Sequence, residues 1–234
     1  MPRAHRQQPG GVVFHVLNRG NERQELFADA GDYDAFLRVM AETLRHHPVA
    51  LLAYCLMPNH WHLVVRPEAD GDLGRFLQRL TVTHVRRWRE YRHSVGLGHL
   101  YQGAYKSFPV QEDGHFLAVC RYVERNALRA GLVPAGRAQD WRWSSLGQRG
   151  RDLPPGAIGV DWPRLTPWPV DAPRHWLQRV NQAESEAELE SLRTSLRRGR
   201  PLGSTAWTIA TAQRLGLGST LRPRGRPRKA AAPR

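Results

Sequence analysis

Two histidines flank one tryptophan in the segment PNHWHLVV (58–65), which continues into an apolar run. Side chains alternate between the two faces of a β-strand, so His60 and His62 project from one face and Trp61 from the other. Two imidazoles that lie close together suit a metal ion or a phosphate. They leave a metal site incomplete, however, and the residues at 63–66 lack the Asp and His ligands of metallo-hydrolases that begin with the same motif. A third ligand must therefore come from elsewhere in the fold, unless the pair is one surface and one core histidine.

A predicted helix from about 115 to 130 supplies candidate partners for the histidine pair. Tyr122 and Asn126 are four residues apart and are therefore neighbours on one side of this helix. Both lie at the edge of its apolar stripe, with Arg129 on the same flank. An amide oxygen can complete a metal site, and a phenol can attack a phosphate. A lone tyrosine here would be an ordinary amphipathic residue, but its coincidence with Asn126 and the histidine pair favours a catalytic role.

The elements that must position these residues follow the order β, α, β, β, α, β, α. Short runs of β-forming residues, helical periodicity and turn residues set their bounds. The predicted elements are a strand at 12–20, a helix from about 32, a hairpin of strands at 49–56 and 60–66, a helix at 72–92, a strand at 104–111 and a helix at 115–130. This order predicts an α+β fold, a ferredoxin-like split βαβ sandwich with an antiparallel sheet and a basic helical C-terminal extension.

The chain divides by composition into three parts. Residues 1–150 are predicted to form the catalytic domain, and the Pro-rich segment 151–175 a linker. Residues 176–234 are predicted to be a basic extension with short helices at 183–198 and 204–215, followed by a tail that we expect to be disordered.

The net charge of +14 is concentrated near the C-terminus. From Arg193 onward there are 11 Lys or Arg and no Asp or Glu, whereas the rest of the chain holds 24 basic and 21 acidic residues. A near-neutral body with a basic tail is typical of proteins that bind nucleic acids. A GC-rich genome would explain why arginine outnumbers lysine, but it does not explain the missing acidic residues.

The last basic cluster, RGRPRK (224–229), is similar to the core of an AT-hook. An extended Arg-Gly-Arg segment can enter the minor groove of A·T-rich DNA, where the electrostatic potential favours arginine. The alternative is a general polybasic tail that binds any phosphate backbone. Both interpretations predict DNA contacts from Arg224, Arg226, Arg228 and Lys229.

The sequence also carries information on cellular location. No stretch approaches the ~18 consecutive apolar residues that a membrane span needs, and the N-terminus lacks the apolar core of a signal peptide. We therefore expect a cytoplasmic protein that has no membrane partner. Because it is also expected to bind DNA, it would be associated with the nucleoid. Cys55 and Cys120 lie in apolar runs and are predicted to be buried, reduced thiols.

Four phrases of the sequence together resemble one known family. HVLNRGNERQELF, YCLMPNHWHLVVRP, YQGAYKSFPV and CRYVERNALRAGLV are similar to segments of the REP-associated tyrosine transposases. These belong to the IS200-like HUH single-strand DNA transposases, where HUH denotes His-hydrophobic-His, and the resemblance covers about residues 12–148. The residues at 127–130, Ala-Leu-Arg-Ala, depart from the Pro-Val-Arg-Ala expected after the asparagine. The change alters helix geometry slightly and leaves the site assignment intact.

The resemblance implies a role for each candidate residue. His60, His62 and Asn126 would hold a divalent ion, Mg²⁺ or Mn²⁺, and Tyr122 would be the nucleophile. The partner would be single-stranded or hairpin DNA. Further DNA contacts are predicted at Arg19, Tyr105, Lys106 and Arg129, in addition to the four basic residues of the tail.

The implied activity is metal-dependent cleavage and transfer of single-stranded DNA through a 5′-phosphotyrosine, at repeats that form hairpins. One alternative is a non-catalytic protein, derived from a transposase, that binds such hairpins. Another is an RNA-binding protein, but that would need aromatic residues on the central strands, where this sequence has histidines. The sequence leaves open whether Tyr122 serves the histidines of its own chain or those of a partner in a homodimer.

Overall fold

A four-stranded antiparallel sheet forms the centre of the computed structural model, which describes residues 7–96, 98–149 and 162–222. The strands are β1 (Val13–Arg19), β2 (Val49–Met57), β3 (His60–Pro67) and β4 (Lys106–Val110), in the spatial order β2-β3-β1-β4. Helix α1 (Ala30–His46) connects β1 to β2, and α2 (Asp72–Tyr91) follows β3. The strand β3 therefore lies between β1 and β2, and the predicted split βαβ plan is confirmed.

The remaining helices follow β4. They are α3 (Gly114–Glu124), α4 (Asn126–Arg129), α5 (Ser145–Arg149), α6 (Trp176–Asn181), α7 (Glu186–Arg198) and α8 (Thr205–Arg214). Single 3₁₀ turns occur at Asn21–Arg23, Ala138–Asp140 and Gly218–Thr220. The helices α7 and α8 match the two that were predicted for the C-terminal extension.

The two faces of the sheet bury different sets of side chains. Helices α1 and α2 cover one face, where Trp61 is fully buried. Its Nε1 donates a hydrogen bond to the hydroxyl of Tyr101 (3.0 Å), which also lies 2.7 Å from Nδ1 of the buried His84. Helix α3 packs on the opposite face, against residues that include Val64. Because β3 alternates, the face under α3 is the one that carries His60 and His62.

Strand register fixes what surrounds the two histidines. In the antiparallel pair of β1 and β3, Arg19 lies opposite His60 and Leu17 opposite His62. Directly opposed residues share a face, so both β1 residues also project toward the α3 side. On the other edge of β3, Cys55 of β2 lies opposite His62. Both histidines are thus held by backbone pairing on two sides.

The helix predicted over 115–130 is interrupted in the structure. It ends at Glu124, and the short helix α4 begins at Asn126. The amide of Arg125 hydrogen-bonds to the carbonyls of both Arg121 and Val123, which tightens the turn. Asparagine forms helix less readily than alanine or leucine, because its side chain competes for backbone hydrogen bonds. The interruption places Asn126 at the first position of a new helical turn.

Part of the segment predicted to be a linker packs against the sheet. The amide of Thr166 donates to the carbonyl of Leu51, and Nε1 of Trp168 donates to the carbonyl of Leu52, both at 2.8 Å. The ring of Trp168 also contacts Phe116 and Trp176 edge-on. The ring of Trp168 thus buries apolar area against α3 and the neighbouring helix α6. Residues 151–161 of the predicted linker and the basic residues 224–229 lie outside the described ranges.

Two further expectations concern the thiols and membrane spans. Cys55 and Cys120 are both buried and free, as predicted. Within the described ranges, no helix is both long enough and apolar enough to cross a bilayer.

Candidate active site

The two histidines of β3 form a close pair under helix α3. Their ring centroids are 5.1 Å apart and their planes are nearly perpendicular. His62 is buried, whereas His60 is half-buried. Nδ1 of His60 lies 2.7 Å from Oδ1 of Asn59, an oxygen that can only accept. His60 therefore carries its proton on Nδ1 and keeps the lone pair of Nε2 free for a ligand.

A third histidine, which the sequence did not single out, orients His62. Nε2 of His15 on β1 lies 2.9 Å from Nδ1 of His62, and both rings are buried. When His62 donates this bond from Nδ1, its Nε2 is free to bind a ligand. Metal-binding histidines commonly donate their second ring N–H to a carboxylate, a backbone carbonyl or a water, and here an imidazole nitrogen would take that place. One signal for this role was present, a histidine within the apolar strand 12–17, but the register in which β1 pairs with β3 cannot be read from sequence.

All three imidazoles are held neutral near pH 7. Burial lowers the pKa of His60 to about 4, and the charges of Arg19 and Arg129 add to the effect. Burial also lowers the pKa of His62 well below its usual value, with His15 and His60 contributing. The pKa of His15 falls to about 3 for the same reason, burial. A neutral imidazole has the free lone pair that a metal ion requires.

Tyr122 lies beside the histidine pair of its own chain. It occupies the last turn of α3, is half-buried, and has its ring centroid 5.9 Å from that of His62, with the planes almost perpendicular. The guanidinium carbon of Arg129 lies 4.1 Å from the centroid of the Tyr122 ring. The phenol is therefore packed between an imidazole and a guanidinium.

Asn126 follows one turn after Tyr122 and is buried. Among the residues that the structure describes, none is a hydrogen-bond partner of its Nδ2, which is a donor. A buried polar group without a partner costs free energy, and a bound water or ligand is one way to satisfy it.

The side chains at the site can be compared with the ligands that a divalent metal ion needs. No cluster of three or more His, Cys, Asp or Glu side chains in the described ranges is placed to hold a metal. An ion bound by His60 and His62 would therefore need an amide oxygen and oxygens from outside the protein. Two neutral imidazoles supply nitrogen donors, and the amide of Asn126 offers a ligand oxygen only through Oδ1, since its Nδ2 is a hydrogen-bond donor. Such a set would leave positions for phosphate and water.

Two of the predicted DNA contacts line one cleft beside the histidines. Arg19, the register partner of His60, and the exposed Lys106 border a cleft of about 530 Å³. Arg193 and Arg197 of α7 line the same cleft, and the sequence had not singled them out. The cleft therefore carries four basic side chains from two parts of the chain.

The other predicted DNA contacts are placed differently. The hydroxyl of Tyr105 donates to Oε1 of Gln8 (2.9 Å), and the residue borders a separate pocket next to α2. Arg129 is ion-paired to Glu184 at 3.1 Å in addition to covering Tyr122. The DNA-binding role of each residue stays a prediction.

The chain is similar to known proteins in sequence and in fold. A family model described as "Transposase IS200 like" matches residues 10–126, which are half of the 234-residue chain. A Haemophilus influenzae protein named as a REP-associated tyrosine transposase is 22% identical over 162 residues, which are 65% of this chain and 88% of that protein. A solved REP-associated tyrosine transposase bound to a REP hairpin superposes with a TM-score of 0.51 and 21% identity, over 72% of this chain and 96% of the solved one. This structural likeness shows the fold.

Proposed function

The chain belongs to the IS200-like transposase family, and we propose that it is an active member, a metal-dependent single-strand DNA endonuclease and strand transferase. The observation that carries the proposal is the contact between the Tyr122 ring and His62 of the same chain, next to His60. A side chain that can act as a nucleophile and two imidazoles of the kind that binds metal ions share one site. A protein that only binds DNA has no need of that combination.

In the proposed reaction, the hydroxyl of Tyr122 attacks the phosphorus of a DNA phosphodiester and loses its proton. The bond from phosphorus to the 3′-oxygen breaks, the 3′-oxygen takes up a proton, and the 5′ end becomes attached to Tyr122 as a phosphotyrosine. A second 3′-hydroxyl can then attack the same phosphorus, which re-forms a phosphodiester and returns Tyr122 to its free state. Because the phosphotyrosine keeps the bond energy, the strand can be transferred without ATP.

His60, His62 and Asn126 would hold the divalent ion. Such an ion supplies Lewis-acid stabilisation to the scissile phosphate and the leaving oxygen when it is bound. Imidazole and amide donors suit Mn²⁺ more obviously than Mg²⁺. The contribution of the chain itself is to keep both imidazoles neutral by burial and to fix His62 through His15.

The role of His15 gives a measurable expectation. His15→Leu removes the hydrogen bond to Nδ1 of His62 but keeps an apolar side chain in the buried site. We expect Mn²⁺ affinity to fall by about 10- to 100-fold, the usual cost of removing a partner of a metal-binding histidine. Calorimetric titration with Mn²⁺ measures this, and an unchanged affinity in a folded variant would show that the His15–His62 bond has no part in ligand binding.

The proposed substrate is single-stranded DNA at repeats that form hairpins. The solved relative is bound to a REP hairpin, and this chain has a basic cleft beside the candidate site. The test is incubation with labelled single-stranded repeats from the flanks of its own gene, with Mn²⁺ or Mg²⁺. Cleavage, and transfer to an acceptor that ends in a 3′-hydroxyl, support the proposal. Tight hairpin binding without cleavage would favour a non-catalytic hairpin-binding protein.

We propose that the basic tail increases the affinity for DNA and takes no part in the cleavage reaction. Residues 223–234 contain five Lys or Arg. Their removal should weaken DNA binding and reduce the slope of log affinity against log salt by up to about 3 to 4, since each neutralised phosphate of a single strand contributes about 0.7. Cleavage at saturating DNA should persist. Binding titrations across a salt series measure the slope, and an unchanged slope would show that the tail does not contact DNA.

A further inference from the structure

A segment of the C-terminal extension, Gln182–Glu188, lies directly against the helix that carries Tyr122. The guanidinium of Arg121 donates to the carbonyls of Gln182 (3.1 Å) and Ala183 (2.6 Å), and it lies 3.5 Å from Glu188. This segment, which we name the clasp, lies outside the 10–126 region that the family model matches. The nucleophile helix is therefore braced by a part of the chain that the family match does not include.

Glu184 is the centre of the clasp. Only 3% of its side chain is exposed, and its two oxygens lie 3.4 Å from Nη1 of Arg125 and 3.1 Å from Nη1 of Arg129. A buried carboxylate between two guanidinium groups has little freedom, because loss of either contact leaves a charge without compensation. Arg129 is thereby held in one place.

Arg129 transmits this restraint to Tyr122. Its guanidinium carbon lies 4.1 Å from the ring centroid of Tyr122, within the range of a cation–π contact. The ring of Tyr122 also contacts His62 edge-on. The phenol is half-buried, so it depends on these neighbours to keep its hydroxyl next to the imidazole pair.

We propose that Glu184 is a positioning residue for the nucleophile, which it holds in place through Arg129. The inference rests on the proposed function of Tyr122. It assigns the C-terminal extension a part in the chemical step, distinct from the electrostatic binding of DNA by the basic tail. Loss of Glu184 should slow phosphotyrosine formation at saturating DNA and leave DNA affinity no weaker, since Arg129 then carries an unpaired positive charge.

The first test compares Glu184→Gln with Glu186→Gln in the full chain. Glu186 also lies in the clasp, but its side chain is highly exposed and pairs with Arg193 of α7. Its substitution makes the same change of charge, and saturating DNA removes any effect that the freed Arg193 has on affinity. Single-turnover adduct formation with Mn²⁺ and saturating single-stranded repeat DNA should slow by about 10- to 100-fold in Glu184→Gln, because misplacement by about 1 Å can cost about 100-fold. Glu186→Gln should react at the wild-type rate. Equal rates for the two variants would overturn the proposal.

A second readout does not depend on activity. In protein labelled with 3-fluorotyrosine, the ¹⁹F resonance of Tyr122 can be assigned by its loss in Tyr122→Phe. Glu184→Gln should shift or broaden that resonance and leave those of the other tyrosines in place. General loss of structure would move them all, and an unchanged Tyr122 resonance would contradict the proposal. If the wild-type protein forms no adduct, the proposed function fails. The spectrum still tests whether Glu184 positions Tyr122 through Arg129.

Arg129→Lys provides a variant that keeps Glu184 in case Glu184→Gln does not fold. Lysine retains the positive charge for Glu184 but lacks the planar group that covers the Tyr122 ring. We expect slow adduct formation, and a wild-type rate would overturn the proposal. The double variant should be no slower than Arg129→Lys alone, because both changes act through one contact. If Arg129 instead binds DNA, Arg129→Lys would change affinity and leave the rate at saturation unaltered.

Discussion

Replacing Tyr122 with phenylalanine is expected to abolish strand cleavage and covalent attachment while DNA binding persists. The change removes the attacking oxygen and keeps the ring that packs between His62 and Arg129. Loss of a nucleophile should lower the rate by at least about 1,000-fold, because the remaining groups cannot form the covalent intermediate. Gel assays with end-labelled single-stranded repeats measure cleavage, and titration without metal measures binding.

Tyr105→Phe is the matched control for this experiment. It also removes one phenolic oxygen, but Tyr105 borders a separate pocket and its hydroxyl bonds to Gln8. Cleavage should continue in this variant. Tyr101→Phe is a poorer control, since the Tyr101 hydroxyl joins Trp61 and His84 in the core under α1 and α2. Cleavage by Tyr122→Phe at the normal rate would mean that another residue is the nucleophile.

Replacing His62 with alanine is expected to stop cleavage through a different loss. His62 contacts His60, His15 and Tyr122, and its imidazole is one of the three proposed metal donors. Loss of His15, a hydrogen-bond partner of a ligand, is expected to lower Mn²⁺ affinity by about 10- to 100-fold. Loss of the ligand His62 itself should lower it by more. Calorimetric titration with Mn²⁺ should therefore show a large loss for His62→Ala and none for Tyr122→Phe.

His46→Ala serves as the control for His62→Ala. His46 is exposed in the last turn of α1, on the opposite side of the sheet. Its removal should leave both Mn²⁺ affinity and cleavage unchanged. Wild-type Mn²⁺ affinity in a folded His62→Ala protein would contradict the proposed metal site.

The features that local sequence pattern predicts well are those set by the alternation of side chains. His60 and His62 share a face because a strand has a period of two. The continuous helix expected to carry both Tyr122 and Asn126 is instead interrupted at Arg125. The order of elements was sufficient to predict the split βαβ sheet. These features depend on local geometry, and local geometry is visible in a single sequence.

The features that pattern missed depend on contacts between distant segments. His15 reaches His62 only because β1 pairs with β3 in one register. Glu184 reaches Arg129 only because the extension folds back on α4. The packing of Trp168 on β2 is of the same kind, since the proline-rich composition around it gave no sign of a partner. Tertiary contacts of this type carry no periodic signal.

Detection of a covalent bond between Tyr122 and DNA is the most direct test of the proposed mechanism. Wild-type protein should be incubated with a single-stranded repeat oligonucleotide and Mn²⁺, digested with protease and nuclease, and analysed by mass spectrometry. The proposed mechanism predicts one modified peptide, in which Tyr122 carries a nucleotide joined through its 5′-phosphate. The DNA fragment that is released in the cleavage step should end in a free 3′-hydroxyl. A nucleotide adduct on Tyr105 or Tyr101, or efficient cleavage with no protein adduct, would contradict it.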